Sequence, residues 1–210
     1  MKIVSWAKKI KNPYLVAEVK KRQLPIKLLE LYTPQVLLLD GVEKYCGFAM
    51  ENDLKGFQIW SEGFKGYIGP KAITTYPATA KQWTSYIFPD QWDFLAWVSI
   101  MGHQPDQEMI IHHGLVDQCA AHILSKGMEK VFSFRHMDDR GLEQDGELAL
   151  KLEAAVTYGT MEANYDGFDS LSSKYMDNPQ AIRTALKIGT VPKVYYDPLV
   201  KRQGQPKYSL

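Results

Sequence analysis

The side chains best suited to chemistry gather around one cysteine. His112 and Cys119 are seven residues apart, and Cys119 and His122 three apart, spacings that put each pair on one face of a helix. A thiolate beside an imidazole is a nucleophile pair or half of a metal site. Zinc needs two further ligands, for which Glu108 and His136 are the candidates. Against this, the chain has no HExxH, no paired CxxC and no local cysteine-protease signature. Cys119 also shares an apolar stripe with Leu115 and Ile123, where cysteine is usually a core residue. Cys119, His112 and His122 therefore form the catalytic alternative, and the leading reading assigns no catalytic residue, metal or cofactor. His113 reads as an exposed partner of Asp117.

Other constellations are weaker. Glu18-Val-Lys20 follows an apolar stretch like half of a metal-dependent nuclease strand, but residues 1–17 supply no second carboxylate. Asp138, Asp139, Glu143, Asp145 and Glu147 offer oxygens to a cation without EF-hand spacing, and an acidic helix start is favourable in itself. Gly63, Gly66 and Gly69 match no phosphate-binding loop and read as turn glycines. Trp83, Tyr86, Phe88, Trp92, Phe94 and Trp97 crowd fifteen residues that contain Asp90 and Asp93 but no Lys or Arg. Such a block suits a core or a protein interface better than stacking on nucleic acid. Trp83, Tyr86, Phe88, Trp92 and Trp97, with Tyr195, Tyr196 and Tyr208 near the end, are the expected interface anchors.

These residues must be carried by a chain of 210 residues, 45% hydrophobic and 23% charged, the profile of an ordinary globular domain. No apolar run approaches the roughly 20 residues of a membrane span. Lysines interrupt any signal-peptide core at the N-terminus, and two cysteines build no disulfide framework. A cytoplasmic protein, or a virion protein assembled in a host cytoplasm, is expected. The overall charge of +1 hides a dipole: residues 1–27 carry +7 and residues 138–169 carry −7. Such patches suit head-to-tail contact between subunits, or a basic arm (Lys8, Lys9, Lys11, Lys20, Lys21, Arg22) near DNA.

The periodicity predicts a mainly α fold, a helical bundle with a small β-hairpin insertion and extended termini. Residues 1–32 form a basic arm and residues 33–189 the core, with the hairpin at 56–69; residues 190–210 form an extended tail. Within the core, Thr33-Pro34 starts an amphipathic helix through Met50. Residues 70–89 are an ordered loop, Gln91–Met101 a buried helix, and Asp106–Lys126 and Glu143–Ala163 the two spine helices. Met128–Phe134 is an extended link, and Asn178-Pro179 opens a last helix to Ile188.

The second half also resembles a known family. Pro105 leads into Cys119-Ala-Ala121, then an acidic start, then Glu147-Leu-Ala149, Leu152-Glu and Ala155, closing on Glu162-Ala-Asn-Tyr-Asp166. Over roughly residues 100–168 this is similar to the tail-tube-A and head–tail connector proteins of short-tailed bacteriophages. That likeness implies a helical structural subunit of a ring, with termini docked on neighbours. The expectation is thus a non-enzymatic homo-oligomeric connector with other protein subunits as partners. The alternatives are a small Cys/His- or metal-dependent enzyme, or a nucleic-acid-binding or host-modulating protein using the basic arm.

Overall fold

The computed structural model describes residues 1–78, 83–101, 107–153, 155–161 and 168–179. Over these the chain is mixed α/β, with ten strands in two five-stranded sheets and six helices.

The first sheet is an antiparallel meander of β1 (Lys2–Ala7), β2 (Gln35–Asp40), β3 (Glu43–Glu51), β4 (Phe57–Ser61) and β5 (Lys65–Ile68), in that spatial order. Helices α1 (Pro13–Lys21) and α2 (Ile26–Tyr32) fill the β1–β2 connection. Asn12 caps α1 through Leu15 N, with Pro13 at the first helical position. Residues 1–32 are thus an edge strand and two packed helices.

The helix expected from Thr33 to Met50 is a β2–β3 hairpin. Asp40 pairs with Glu43 across Gly41-Val42, and Gly41 has φ +60°, the left-handed conformation a two-residue hairpin loop demands. Thr33 ends α2 rather than starting a helix: its N–H donates to Leu29 O at 2.7 Å. Val36 and Leu38 alternate with less buried Leu37 and Leu39, a period of two that a leucine-rich run disguises. Likewise β4 and β5 continue the meander rather than standing as an insertion.

The second sheet has the order β10-β9-β7-β8-β6. Its strands are β6 (Thr74–Tyr76), β7 (Thr84–Phe88), β8 (Glu108–Ile111), β9 (Lys130–Ser133) and β10 (Thr157–Thr160). All but β6 run parallel. The crossovers are α3 (Gln91–Met101), α4 (Val116–Lys126) and α5 (Asp139–Leu152), and α6 (Leu171–Asp177) packs on α3. The loop expected over 70–89 therefore holds two strands, one of them central. Both spine helices are shorter than expected, because Glu108–Ile111 and Thr157–Thr160 are strands, and the link 128–134 is β9. Each is a four-residue segment, too short to show a period; Glu108–Ile111 is buried throughout and reads as helix or strand until its neighbours are known.

The sheet's two faces explain the amphipathic stripes. Ile87, Ile110 and Val131 meet Val116, Cys119 and Ile123 of α4 and Leu148 and Leu152 of α5. On the other face Phe88, Met109, Ile111 and Phe134 join Trp97 and Phe94 of α3, Leu28 of α2, and Phe48 and Trp60 of the first sheet. One core thus spans both sheets. A helical bundle is excluded because most apolar stripes pack on strands, not on other helices.

Candidate functional site

In an open parallel sheet, ligands bind beyond the carboxyl ends of the strands, where the strand order reverses. Here β8 lies on one side of β7 and β9 on the other, so the reversal falls between β7 and β9. The loop leaving β7 carries Asp90, the first turn of α3 after it carries Asp93, and the loop leaving β9 carries His136.

Asp90 caps α3, accepting from Trp92 N at 2.8 Å and Asp93 N at 3.0 Å. Asp93 is fully buried one turn later, and its Oδ1 accepts from Ser172 N at 2.7 Å. His136 Nε2 stands 2.9 Å from Asp93 Oδ2 and 3.8 Å from Asp90 Oδ2. The closer contact lacks hydrogen-bond alignment, and neither Asp93 Oδ2 nor His136 Nε2 has another hydrogen-bond partner. Burial opposes a charge on His136, but the carboxylates of Asp93, Asp90 and Asp138 overcome it and raise its pKa to about 9. Burial raises the Asp90 pKa, and the Asp93 charge adds to the effect. Two carboxylates side by side call for a positive charge between them, which a proton on His136 or a metal ion can supply.

Gly141 permits this arrangement. A Cβ there would stand 2.5 Å from His136 O and 2.6 Å from His136 Cβ, so only glycine lets α5 begin so close behind His136. Asp138 caps that turn through Gly141 N at 2.7 Å, and Met137 N donates to Asp169 O at 2.7 Å.

The triad opens into a cleft of about 360 Å³. One wall is the first sheet, with Gln58, Trp60 and Lys65; the other holds Asp90, Gln91, Trp92, His113 and His136, and Arg22 closes one side. The Arg22 guanidinium lies 3.9 Å from the centre of the Trp92 ring and donates from Nε to Glu18 Oε1 at 2.7 Å. Lys65 Nζ lies 5.8 Å from the Trp60 ring centre. Aromatic faces attract such cations while their apolar stems are covered.

The sequence candidates disperse. Cys119 is fully buried between β-sheet and α5, and burial drives its thiol far above the ordinary range, which suppresses thiolate chemistry. His122 Nε2 is 3.1 Å from Glu108 Oε1, and Ser85 Oγ donates to Glu108 Oε2 at 3.3 Å. This buried set lies at the amino ends of β7 and β8, away from the cleft. His112 follows β8, where Gly114 N donates to its Nδ1 at 3.0 Å, and burial lowers its pKa to about 4. His113 lies 3.4 Å from Thr74 Oγ1, and Asp117 pairs with Lys151 at 2.8 Å instead. Glu18 serves Arg22, and Asp145 accepts from Arg135 at 3.0 Å and from Tyr158.

Among the aromatic residues, Phe88, Trp92 and Trp97 are core residues, with Phe88 stacked on Phe134 at 4.9 Å. Tyr86 packs on Trp97, and Trp83 is 42% exposed. Tyr195, Tyr196 and Tyr208, the tail, and most of the last expected helix lie outside the described residues. Of the basic arm, Lys8, Lys9, Lys11, Lys20 and Lys21 are exposed, and Arg22 reaches the cleft. Sequence reasoning missed Asp90 and Asp93 as site residues. A usable signal was present: short, mostly apolar segments ending at Phe88, Ile111 and Phe134 are each followed by polar, titratable residues and a helix.

No family model and no curated protein matches the sequence. Solved structures do share the fold. The primase fragment of the bacteriophage T7 primase-helicase protein superposes with a TM-score of 0.59 at 10% identity, covering 79% of this chain and 72% of that one. A chain of a second structure, the bacteriophage T7 lagging-strand DNA polymerase interacting with primase domains bound to an RNA/DNA hybrid and dTTP, gives 0.57 at 12% identity. It covers 82% of this chain and 90% of that one. At these identities the likeness establishes fold. It overturns the resemblance to tail-tube and connector proteins, and with it the reading as a structural connector. The helices on which that resemblance rested are crossovers between parallel strands. No helix among the described residues is long and apolar enough to cross a membrane.

Proposed function

We propose that this protein binds nucleotide units, free or within a strand, in the cleft between its two sheets. The observation that carries this is the meeting of Arg22 and Lys65 with Trp60 and Trp92 at the strand-order reversal. Cations recognise phosphate, the buried Trp60 and Trp92 rings hold those cations at the cleft, and the reversal is where an α/β sheet receives such ligands. The shared fold supports the same reading, since the T7 complex contains primase domains bound to an RNA/DNA hybrid and dTTP. The cleft also gives the basic arm a specific role through Arg22, with Lys20 and Lys21 exposed just before it.

Fluorescence anisotropy with labelled single-stranded DNA and an RNA/DNA hybrid, and competition by dTTP, test this in EDTA at about 50 mM salt. Binding is expected to weaken roughly three- to tenfold in Arg22→Ala and in Lys65→Ala, each flattening the salt dependence by about one ion. Competition by dTTP assigns the cleft to a single nucleotide, and its absence assigns it to a strand. Binding that both substitutions leave unchanged, or no binding of any probe, overturns the proposal.

A further inference from the structure

We infer that Asp90, Asp93 and His136 form a binding site for a divalent transition-metal ion, with Mn²⁺ or Zn²⁺ preferred over Mg²⁺. Their ligand atoms all lie within 4.8 Å of one another. Donors about 2.1 Å from one ion stand roughly 3–4 Å apart, and the separations from His136 Nε2 are 2.9 and 3.8 Å.

A second observation points to an ion rather than to a chance cluster. Asp93 is fully buried, one oxygen is satisfied by Ser172 N, and the other faces His136 with no hydrogen bond. Without an ion that oxygen is met by the protonated His136 ring, 2.9 Å away; an ion at the triad takes the place of that proton and bonds both atoms directly. Asp90 and His136 line the cleft, so an ion can enter from solvent while Asp93 forms the floor. The three donors come from the start of α3 and from the two loops that flank the strand-order reversal, held by the α3 cap and by the Gly141 contact. That backbone support fixes the donors before any ion arrives.

The donor set decides the metal. Magnesium prefers an all-oxygen octahedron and dehydrates reluctantly, whereas an imidazole nitrogen favours later first-row ions. Three protein donors also leave coordination positions open toward the cleft, where water or a phosphate oxygen fits. The ion's service to a bound phosphate rests on the nucleotide reading above; its binding to the free protein does not.

The test is isothermal titration of the free full-length protein with MnCl₂, ZnCl₂ and MgCl₂, together with electron spin-echo spectroscopy of the Mn²⁺ form. One ion per chain is expected, at least about tenfold tighter for Mn²⁺ than for Mg²⁺, with a nitrogen coupling in the spin-echo spectrum. His136→Gln should abolish that coupling and weaken Mn²⁺ binding tenfold or more. Asp90→Asn, a cleft-facing change, should weaken binding comparably with the circular dichroism spectrum unchanged, which separates ligand loss from misfolding. Absence of one-site binding, equal affinity for Mg²⁺, or a nitrogen coupling that survives in His136→Gln overturns the inference. Oligonucleotide binding in EDTA is read separately, so either proposal can fail while the other stands.

Discussion

The two sheets contain the same number of strands and put them to different use. In the meander every strand pairs with its sequence neighbour, and after the two helices between β1 and β2 the connections are short turns. Most of its charged residues, such as Glu43, Lys44 and Lys65, are exposed, and Glu51 at the end of β3 is buried. In the second sheet four strands run parallel, so the loops leaving them emerge at one edge. Residues as distant in sequence as Asp90, His113 and His136 thereby line one cleft. Parallel crossovers concentrate titratable groups, and the antiparallel sheet supplies a wall with Trp60 and Lys65 facing them. The chemistry belongs to one sheet and the enclosure to both.

Three experiments probe that division, beyond those on Arg22, Lys65 and the metal ligands. The largest effect is expected from Phe88→Ala at the shared core, a loss of about 3–5 kcal/mol in urea denaturation. Because Phe88, Phe48 and Trp60 belong to one cluster, both sheets should unfold in a single transition. Two separated transitions would show that the sheets are independent units and break the comparison.

Next come the glycines. Gly141→Ala forces a Cβ onto the His136 backbone and should cost about 1–3 kcal/mol by overpacking. It should also weaken ligand binding in the cleft. Gly41→Ala, in a turn with open space around it, should cost about 1 kcal/mol through its positive φ alone and leave cleft binding unchanged. Equal effects on binding would remove the distinction between site and wall.

The smallest effect is on pH. Burial holds His112 near pKa 4 and His113 near 3, so both stay neutral in the folded protein at pH 5 to 6. The unfolded chain takes up protons below about 6.5, and stability must therefore fall as pH falls. A loss of about 1–2 kcal/mol between pH 6 and 5 is expected, and His112→Asn should reduce it. A flat profile there would place both side chains in water.

Some of this was legible in the residues. Gln91–Met101, apolar on nearly every side, is a buried helix, and the stripe Val116, Cys119 and Ile123 faces a core. Cys119 is buried in that same cluster. The leucine run Val36–Leu39 was not legible as a strand, because its period of two is written in residues equally at home in a helix. The triad was hidden for another reason. Asp90 reads as a helix cap, which it is, and His136 has no partner within reach along the chain.

The sequence alone determined the Asp90 cap, the buried helix that follows it and which stripes are apolar, since those depend on residues within a few positions of one another. Tertiary structure decided that Glu108–Ile111, Lys130–Ser133 and Thr157–Thr160 are parallel strands, and that Asp90, His136 and Arg22 share one cleft. The physical reason is that a strand's hydrogen bonds and a cleft's charges are completed by residues far away in the chain. Local spacing carries no record of them.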